Sequence, residues 1–321
     1  MPTACPEPRR RVRPLTRQSR IAVAAPASAA LDPRHAEAGL EALKKRGLTV
    51  EVVRPMSLKP HGFLAGDDQT RADELNTLFT RDDIDAIFCL RGGYGTLRIL
   101  DRLDYDAMRS HPKLIVGYSD ITALQLAIFC KTGLPSLSGP MVAPDWPKID
   151  PASESMFWRL AGGKAPVEII GPYGETLAGM KNGSAEGVLL GGNLTMICSL
   201  LGTPYLPDLS SAVLFVEDVG EQPYQIDRLF ARLRLAGVLE KLGGLVFGAF
   251  TRAKPRKGQP SLSLDEVLDH YAQFVPGPVA RGLVFGHFTD KCTLPIGVKS
   301  SFEVNDTVAC LTVNEPITRD V

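Results

Sequence analysis

No apolar run in the chain approaches the ~18–20 residues that a helix needs to cross a bilayer, so a membrane-spanning role is not expected. A charge of one sign is also missing, since 36 Lys and Arg balance 36 Asp and Glu. Nothing global then draws the chain to nucleic acid or to an anionic membrane, and a small or neutral partner fits better. Histidine is scarce, with five in 321 residues, and none falls in an HExxH or carboxylate–histidine spacing. Neither a metal nor a cofactor is expected. The GxGxxG and GK(S/T) signatures of dinucleotide and phosphate cradles are absent. No CxxC pair occurs among the six cysteines, Cys5, Cys89, Cys130, Cys198, Cys292 and Cys310. Four of them lie in apolar runs (IFCL, AIFC, MICSL, VACLTV) and read as buried thiols rather than a bridge framework. Reduced thiols suit a cytoplasmic location. The opening residues, MPTACPEPRRRVRPLTRQSR, are basic and proline-rich, but no long apolar stretch with a cleavage site follows, so a signal peptide is not expected. Residues 1–18 read as a disordered or loosely attached tail, with Arg9, Arg10, Arg11 and Arg13 solvated.

What is present is a regular alternation of short apolar runs and helical segments. The length suits two domains rather than one core. IAVAAP (21–26) reads as a strand, 33–46 as a helix, LTVEVV (48–53) as a strand and 69–80 as a helix. Buried strands follow at 85–90 and 113–118, then a helix at 120–132. This β-α-β-α order predicts an α/β fold with a parallel sheet covered by helices on both faces. After Pro140 the texture becomes rich in Pro and Ser, which reads as a linker or surface excursion. Beyond it come a helix at 194–201, strands at 212–218, 243–250 and 282–288, and helices from Pro223 to about Leu235 and at 263–274. The resulting division is a tail (1–18), a first domain (19–150), a linker (151–180) and a more strand-rich α/β domain (181–321).

Four motifs carry chemistry. In KLIVGYSDITAL (113–124) an apolar strand runs through Gly117-Tyr118-Ser119-Asp120 into a helix. A serine at such a turn stands exposed at the carboxyl end of a parallel sheet, the logic of a nucleophile elbow, although the motif is not GxSxG. The helix N-terminus and the N–H of Asp120 favour an oxyanion there; a plain helix cap is the bland alternative. RGGYGT (91–96) follows the strand at 85–90. Its paired glycines let the backbone approach a ligand, with the Gly93 N–H as a second oxyanion donor or the loop as a tight turn only. In FVED (215–218) Glu217 emerges at a strand end, with Asp218 as the competing acid. In FGHFTD (285–290) His287 alone of the histidines ends an apolar, glycine-bearing run; His35, His111 and His270 lie in polar surroundings and His61 in a loop. A neutral imidazole is the expected partner of a serine, because it must accept the Oγ proton near neutral pH.

Taken together, AAPAS (24–28), RADELNTLFTRDDIDAIFCLRGGYGTLRILDRLDYD (71–106), PKLIVGYSDITAL (112–124), GGNL (191–194), FVEDVGEQPYQIDRLFARLRLAGVL (215–239) and GHFTD (286–290) resemble the LD-carboxypeptidases, muramoyltetrapeptide carboxypeptidases of the serine peptidase type. The resemblance implies Ser119 as nucleophile, Glu217 as acid, His287 as base, and an oxyanion hole at the N–H groups of Gly93 and Asp120. It further implies a Rossmann-like N-terminal sheet, a C-terminal swivelling β/α domain, a homodimer, and removal of the terminal D-alanine from a muramyl tetrapeptide in peptidoglycan recycling. Arg91 is a candidate for the substrate's terminal carboxylate. One departure stands out: Ser138-Gly139-Pro140 occupies a place where the family often has His-Gly-Pro, which implies altered local substrate contacts. A sister branch cleaves peptidyl-nucleotides related to microcin C, where a nucleobase would stack on an aromatic ring; Trp146 and Trp158 are the residues to consider. The reading from a different class is a non-catalytic small-molecule binding module, in which Ser119, Glu217 and His287 need not meet.

Overall fold

The computed structural model describes residues 11–53 and 60–318. The first half runs β1 (Arg20–Ala24), α1 (Pro33–Lys45), β2 (Thr49–Val52), α2 (Asp68–Thr80), β3 (Ala86–Cys89), α3 (Tyr105–Ser110), β4 (Leu114–Gly117), α4 (Ile121–Thr132) and β5 (Ser136–Ser138). It continues with α5 (Pro151–Ala161), β6 (Val167–Glu168), β7 (Leu177–Lys181), β8 (Gly183–Asn193), α6 (Leu194–Leu200), β9 (Val213–Val219), α7 (Pro223–Leu235), β10 (Gly244–Thr251) and α8 (Leu264–Ala272). The chain closes with β11 (Val279–Arg281), β12 (Leu294–Ile296), β13 (Val298–Asn305) and β14 (Val308–Val313).

Two sheets organise these elements. The first has the order β12-β5-β4-β3-β1-β2, parallel from β5 to β2. β3 and β4 are buried along their whole length, as their unbroken AIFC and LIVG runs require of strands covered on both faces. Because β2 lies on one side of β1 and β3 on the other, the direction of winding reverses between β1 and β3, and the loops leaving their carboxyl ends part to form a crevice. The second sheet, β13-β8-β9-β10-β11-β7-β14-β6, also pairs β13 with β14 and so closes into a barrel of half-parallel strands. β12 comes from the second half of the chain but adds antiparallel to β5 at the edge of the first sheet.

Several sequence expectations are corrected. Residues 151–180 are not an open linker: they hold α5, with Pro151 at its start and the Asp150 side chain capping it, followed by β6 and β7 of the barrel. The Pro-rich stretch before them is not a surface excursion either. Trp146 is fully buried, edge-on to Phe157 at 5.3 Å and beside Phe88, with its Nε1 donating to the Pro140 carbonyl at 3.1 Å. Where it is described, the tail is anchored at two points: Val12 and Leu15 are buried and the Val12 N–H reaches the Ile317 carbonyl, while Arg11, Arg13, Thr16, Arg17 and Gln18 are exposed. Of its basic cluster, Arg13 lies 3.6 Å from Asp85, while Arg9 and Arg10, like Cys5, lie outside the described residues. The strand expected at 282–288 ends at Arg281, because Gly282 turns the backbone to φ +89° and the chain leaves the ladder.

One close contact anchors the crevice wall. Gly39 on α1 faces the backbone of Val142, and a Cβ there would sit 2.0 Å from the Val142 carbonyl oxygen. Gly→Ala inside a helix ordinarily stabilises by about 1 kcal/mol. Here the sign should reverse: Gly39→Ala should lower stability by about 1–3 kcal/mol through overpacking, read as a lower urea midpoint with an unchanged slope.

Candidate active site

β4 ends at Gly117, and the chain turns through Tyr118 and Ser119 before α4 begins at Ile121. Ser119 has φ +65°, a conformation that costs a non-glycine residue about 1 kcal/mol or more. The turn is held by the Thr122 N–H on the Ser119 carbonyl at 2.9 Å and the Ile121 N–H on the Tyr118 carbonyl at 3.3 Å. The strain lifts the Ser119 side chain off the sheet edge toward the second half of the molecule. There His287 Nε2 lies 2.8 Å from Ser119 Oγ, and His287 Nδ1 lies 2.7 Å from Glu217 Oε2. The three residues that the sequence singled out therefore meet, which a binding module would not require.

Glu217 is completely buried, so its charge must be matched locally. One oxygen faces His287, and the other accepts from Asn193 Nδ2 at 3.2 Å. Asp218, the competing acid, points elsewhere. It accepts from Asn193 Nδ2, from the N–H and Oγ1 of Thr195 at the start of α6, and from the Val219 N–H. Neighbouring residues of a strand face opposite ways, so β9 could send only one of the two toward His287. Asn193 serves both acids with its amide nitrogen while its oxygen caps α6 at the Met196 N–H.

The glycine loop lies over the serine. A Cβ on Gly92 would be 3.2 Å from Ser119 Oγ, and Gly93 has φ +108° and presses against Ser28. Among the described residues the N–H groups of Gly93 and Asp120 have no hydrogen-bond partner. Asp120 does not cap α4 with its side chain; Oδ2 accepts from the Thr96 N–H at 2.9 Å, and the Asp120 carbonyl accepts from Thr96 Oγ1 at 2.7 Å. Burial pushes the Asp120 carboxyl above the usual carboxylate range, opposed by the Thr96 hydrogen bonds. These bonds tie the loop to the serine turn.

Two charged residues that sequence reasoning passed over brace the same loops from α2. The guanidinium of Arg71 is buried and donates to the carbonyls of Pro26, Gly66 and Gly95. Glu74 accepts from the Ala25 N–H at 3.0 Å. The signal was available: Arg71, Glu74, Leu75 and Leu78 recur at the spacing of a buried helical stripe.

A cleft of about 400 Å³ opens above Ser119, lined among others by Leu31, His35, Arg91, Gly93, Pro144 and His287. His35, read as solvated, is exposed but stands at this cleft. Arg91 is half-buried there, donates to the Ala29 carbonyl at 3.2 Å and has no carboxylate partner among the described residues. Of the other histidines, His111 pairs with Asp82 at 3.3 Å and His270 packs edge-on to Tyr271. Ser138 is fully buried in β5 opposite Leu294 and does not line the cleft, nor do Trp146 and Trp158.

Comparison with known proteins identifies the family. Residues 21–139 match the LD-carboxypeptidase N-terminal domain and residues 186–302 the LD-carboxypeptidase C-terminal domain. The chain is 36% identical over 302 residues to a probable murein peptide carboxypeptidase of Bacillus subtilis, with 92% of each chain covered. It is 30% identical over 297 residues to the microcin C7 self-immunity protein MccF of Escherichia coli, covering 84% of this chain and 85% of that one. The crystal structure of a muramoyltetrapeptide carboxypeptidase from Oxalobacter formigenes superposes with a TM-score of 0.81 at 30% identity, over 92% of this chain and 99% of that one.

Asn193 gives the site a structural test. Asn193→Ala removes the α6 cap and a donor to both acids, and should lower stability by about 1–2 kcal/mol in urea unfolding.

Proposed function

The chain belongs to the LD-carboxypeptidase family and is a serine-type carboxypeptidase, and on that premise we propose that it removes the terminal D-alanine from a muramyl tetrapeptide, leaving a tripeptide for peptidoglycan recycling. The observation that carries this reading is the hydrogen-bonded series Ser119–His287–Glu217 at the floor of an open cleft.

In the proposed mechanism His287 Nε2 takes the Ser119 proton as Oγ attacks the carbonyl between the third residue and D-alanine. Glu217 holds the ring through Nδ1 and stabilises the imidazolium that forms. The negative oxygen of the tetrahedral intermediate sits between the N–H groups of Gly93 and Asp120, each such donor contributing about 3–4 kcal/mol in comparable sites. As the C–N bond breaks, His287 returns its proton to the departing amine of D-alanine. Water then enters, His287 takes one of its protons, and the acyl-enzyme is cleaved. Arg91 is the proposed anchor for the terminal carboxylate, since it stands in the cleft with its charge unmatched. We assign the enzyme to the cytoplasm, where the buried thiols of Cys89, Cys198 and Cys292 would stay reduced. The family resemblance supports a homodimer. No helix among the described residues is long and apolar enough to cross a membrane.

The first test is D-alanine release from a muropeptide tetrapeptide by the parent and by Ser119→Ala. The parent should release D-alanine, and the variant should be slower by at least about 10⁴-fold. A folded parent that releases none would refute the tetrapeptide reading and make a peptidyl-nucleotide the next substrate to try. The anchor has a separate signature. Arg91→Met should raise KM by about 10–100-fold with kcat little changed, the loss expected for a charge-assisted hydrogen bond. A tetrapeptide ending in a carboxamide should be a poor substrate for the parent and nearly as good as the acid for the variant. Equal discrimination by both would exclude Arg91.

A further inference from the structure

Beneath the cleft lies a buried ion pair that the proposed chemistry does not use. Lys291 Nζ is 2.8 Å from Asp145 Oδ1, and the two side chains are 3% and 5% exposed. Asp145 is satisfied on its other oxygen by the Met141 N–H at 2.8 Å, and the Lys291 N–H donates to Ser153 Oγ at 3.1 Å. A buried pair of this kind is weak support for stability, because the desolvation of both charges offsets their attraction and apolar replacements are often as stable. Its position supplies another reason for it. The Lys291 ammonium stands 3.8 Å from the centre of the Tyr118 ring, and the Tyr118 hydroxyl is 3.4 Å from Asp145. The same ring meets the His287 imidazole edge-on, with centroids 5.3 Å apart and planes at 67°.

Tyr118 is the residue before Ser119, and Lys291 lies four residues after His287. The contact between them therefore joins the serine turn to the loop that carries the imidazole. Hydrogen bonds to Ser119 and Glu217 hold the two ring nitrogens of His287, and its Cβ–Cγ bond tethers a third point, so the tilt left to the ring is the range that side-chain torsion and packing allow. The Tyr118 ring narrows that range, and an ammonium over its face is a strong way to hold an aromatic ring in a dry place. We propose that Lys291 is a positioning residue for His287: paired with Asp145, it clamps the Tyr118 ring and thereby sets the plane in which the imidazole meets Ser119. This assignment rests on the Ser119–His287–Glu217 mechanism proposed above.

Removing one charge alone would leave the other buried and unmatched, so the informative variant replaces both: Asp145→Asn with Lys291→Met. Folding is checked by thermal unfolding, and all rates are taken well below the transition. The nucleophile is probed with a small phosphonofluoridate, which labels an activated serine and needs no peptide, so an error in the assigned substrate leaves the test intact. The parent should label at Ser119. The double variant should label about 10–100-fold more slowly, the order of loss that follows a small misplacement of a catalytic group. On the peptide substrate kcat should fall with it while KM stays within about twofold. In the proton spectrum the downfield Nδ1–H resonance of His287, shared with Glu217, should move or broaden. A folded double variant with the parental labelling rate, or with a change in KM alone, would overturn the assignment. A parent that does not label would overturn both it and the serine mechanism.

Discussion

The arrangement depends on how residues 282–293 are tethered. They leave the barrel at β11 and enter the first sheet at β12, so both ends are held by ladders of different sheets. β12 pairs with β5 through Leu294 and Ser138, and β5 pairs with β4 through Ser138 and Gly117, two residues before Ser119. Serine and imidazole are thus fixed relative to each other by two ladder steps and a short run of chain, although 168 positions separate them in sequence. That economy matters because a displacement of about 1 Å in such a site can cost on the order of 10²-fold in rate. An antiparallel edge strand donated by the other domain converts a domain contact, which tends to be mobile, into part of a sheet.

A second consequence concerns charge. Glu217, Asp120, Arg71 and the Lys291–Asp145 pair are all buried near the crevice, whereas the buried Lys113 stands at the opposite end of β4. Each of those near the crevice has specific donors or acceptors, as burial demands, although Asp120 is matched through Oδ2 alone and its Oδ1 has no partner among the described residues. Buried charge is a poor way to gain stability, but it is directional in a way that apolar packing is not. Arg71 and Glu74 hold the loops after β1 and β3, Asp120 holds the glycine loop to the serine turn, and Glu217 holds the imidazole. The glycine-bearing loops over Ser119 are thus held by polar braces from neighbouring elements.

Much of this was legible because the strands of the first sheet are unbroken apolar runs, and because Ser119 stands where such a run meets a helix. Glu217 and Asp218 were ambiguous for a geometric reason: adjacent strand residues face opposite ways, and only the partner across the interface decides which of them faces His287. His287 was found at the end of an apolar run whose first residues do not form a strand; the run is apolar because Leu283 and Phe285 are buried in an irregular segment. β12 is three residues long and leaves no local pattern; β13 and β14 form a hairpin across Asp306-Thr307, but the barrel closes only because that hairpin also pairs with β8 and β7, more than 100 residues earlier. Pro and Ser around Trp146 read as surface because composition reports on average exposure, whereas here the segment folds back on itself and satisfies its polar groups locally.

The packing of α4 connects the fold to the chemistry it is proposed to perform. Every residue from Ile121 to Phe129 is buried, including Thr122 and Gln125, and no amphipathic stripe exists. Such a helix has no solvent face; it is enclosed by the first sheet on one side and by β8 and α6 on the other. Asn193 closes the enclosure, its N–H donating to Thr122 Oγ1 at 3.0 Å within the first turn of α4. A helix N-terminus in water is screened within about a turn, whereas one in a dry, weakly polarisable setting acts at closer to full strength. The free N–H of Asp120 lies at that end, next to a serine already rotated out by its positive φ. Docking of the barrel against α4 therefore does more than bring Glu217 and His287 across to Ser119. It also buries the body of α4, so that the helix is less screened behind the end that faces the cleft, where the proposed oxyanion would form.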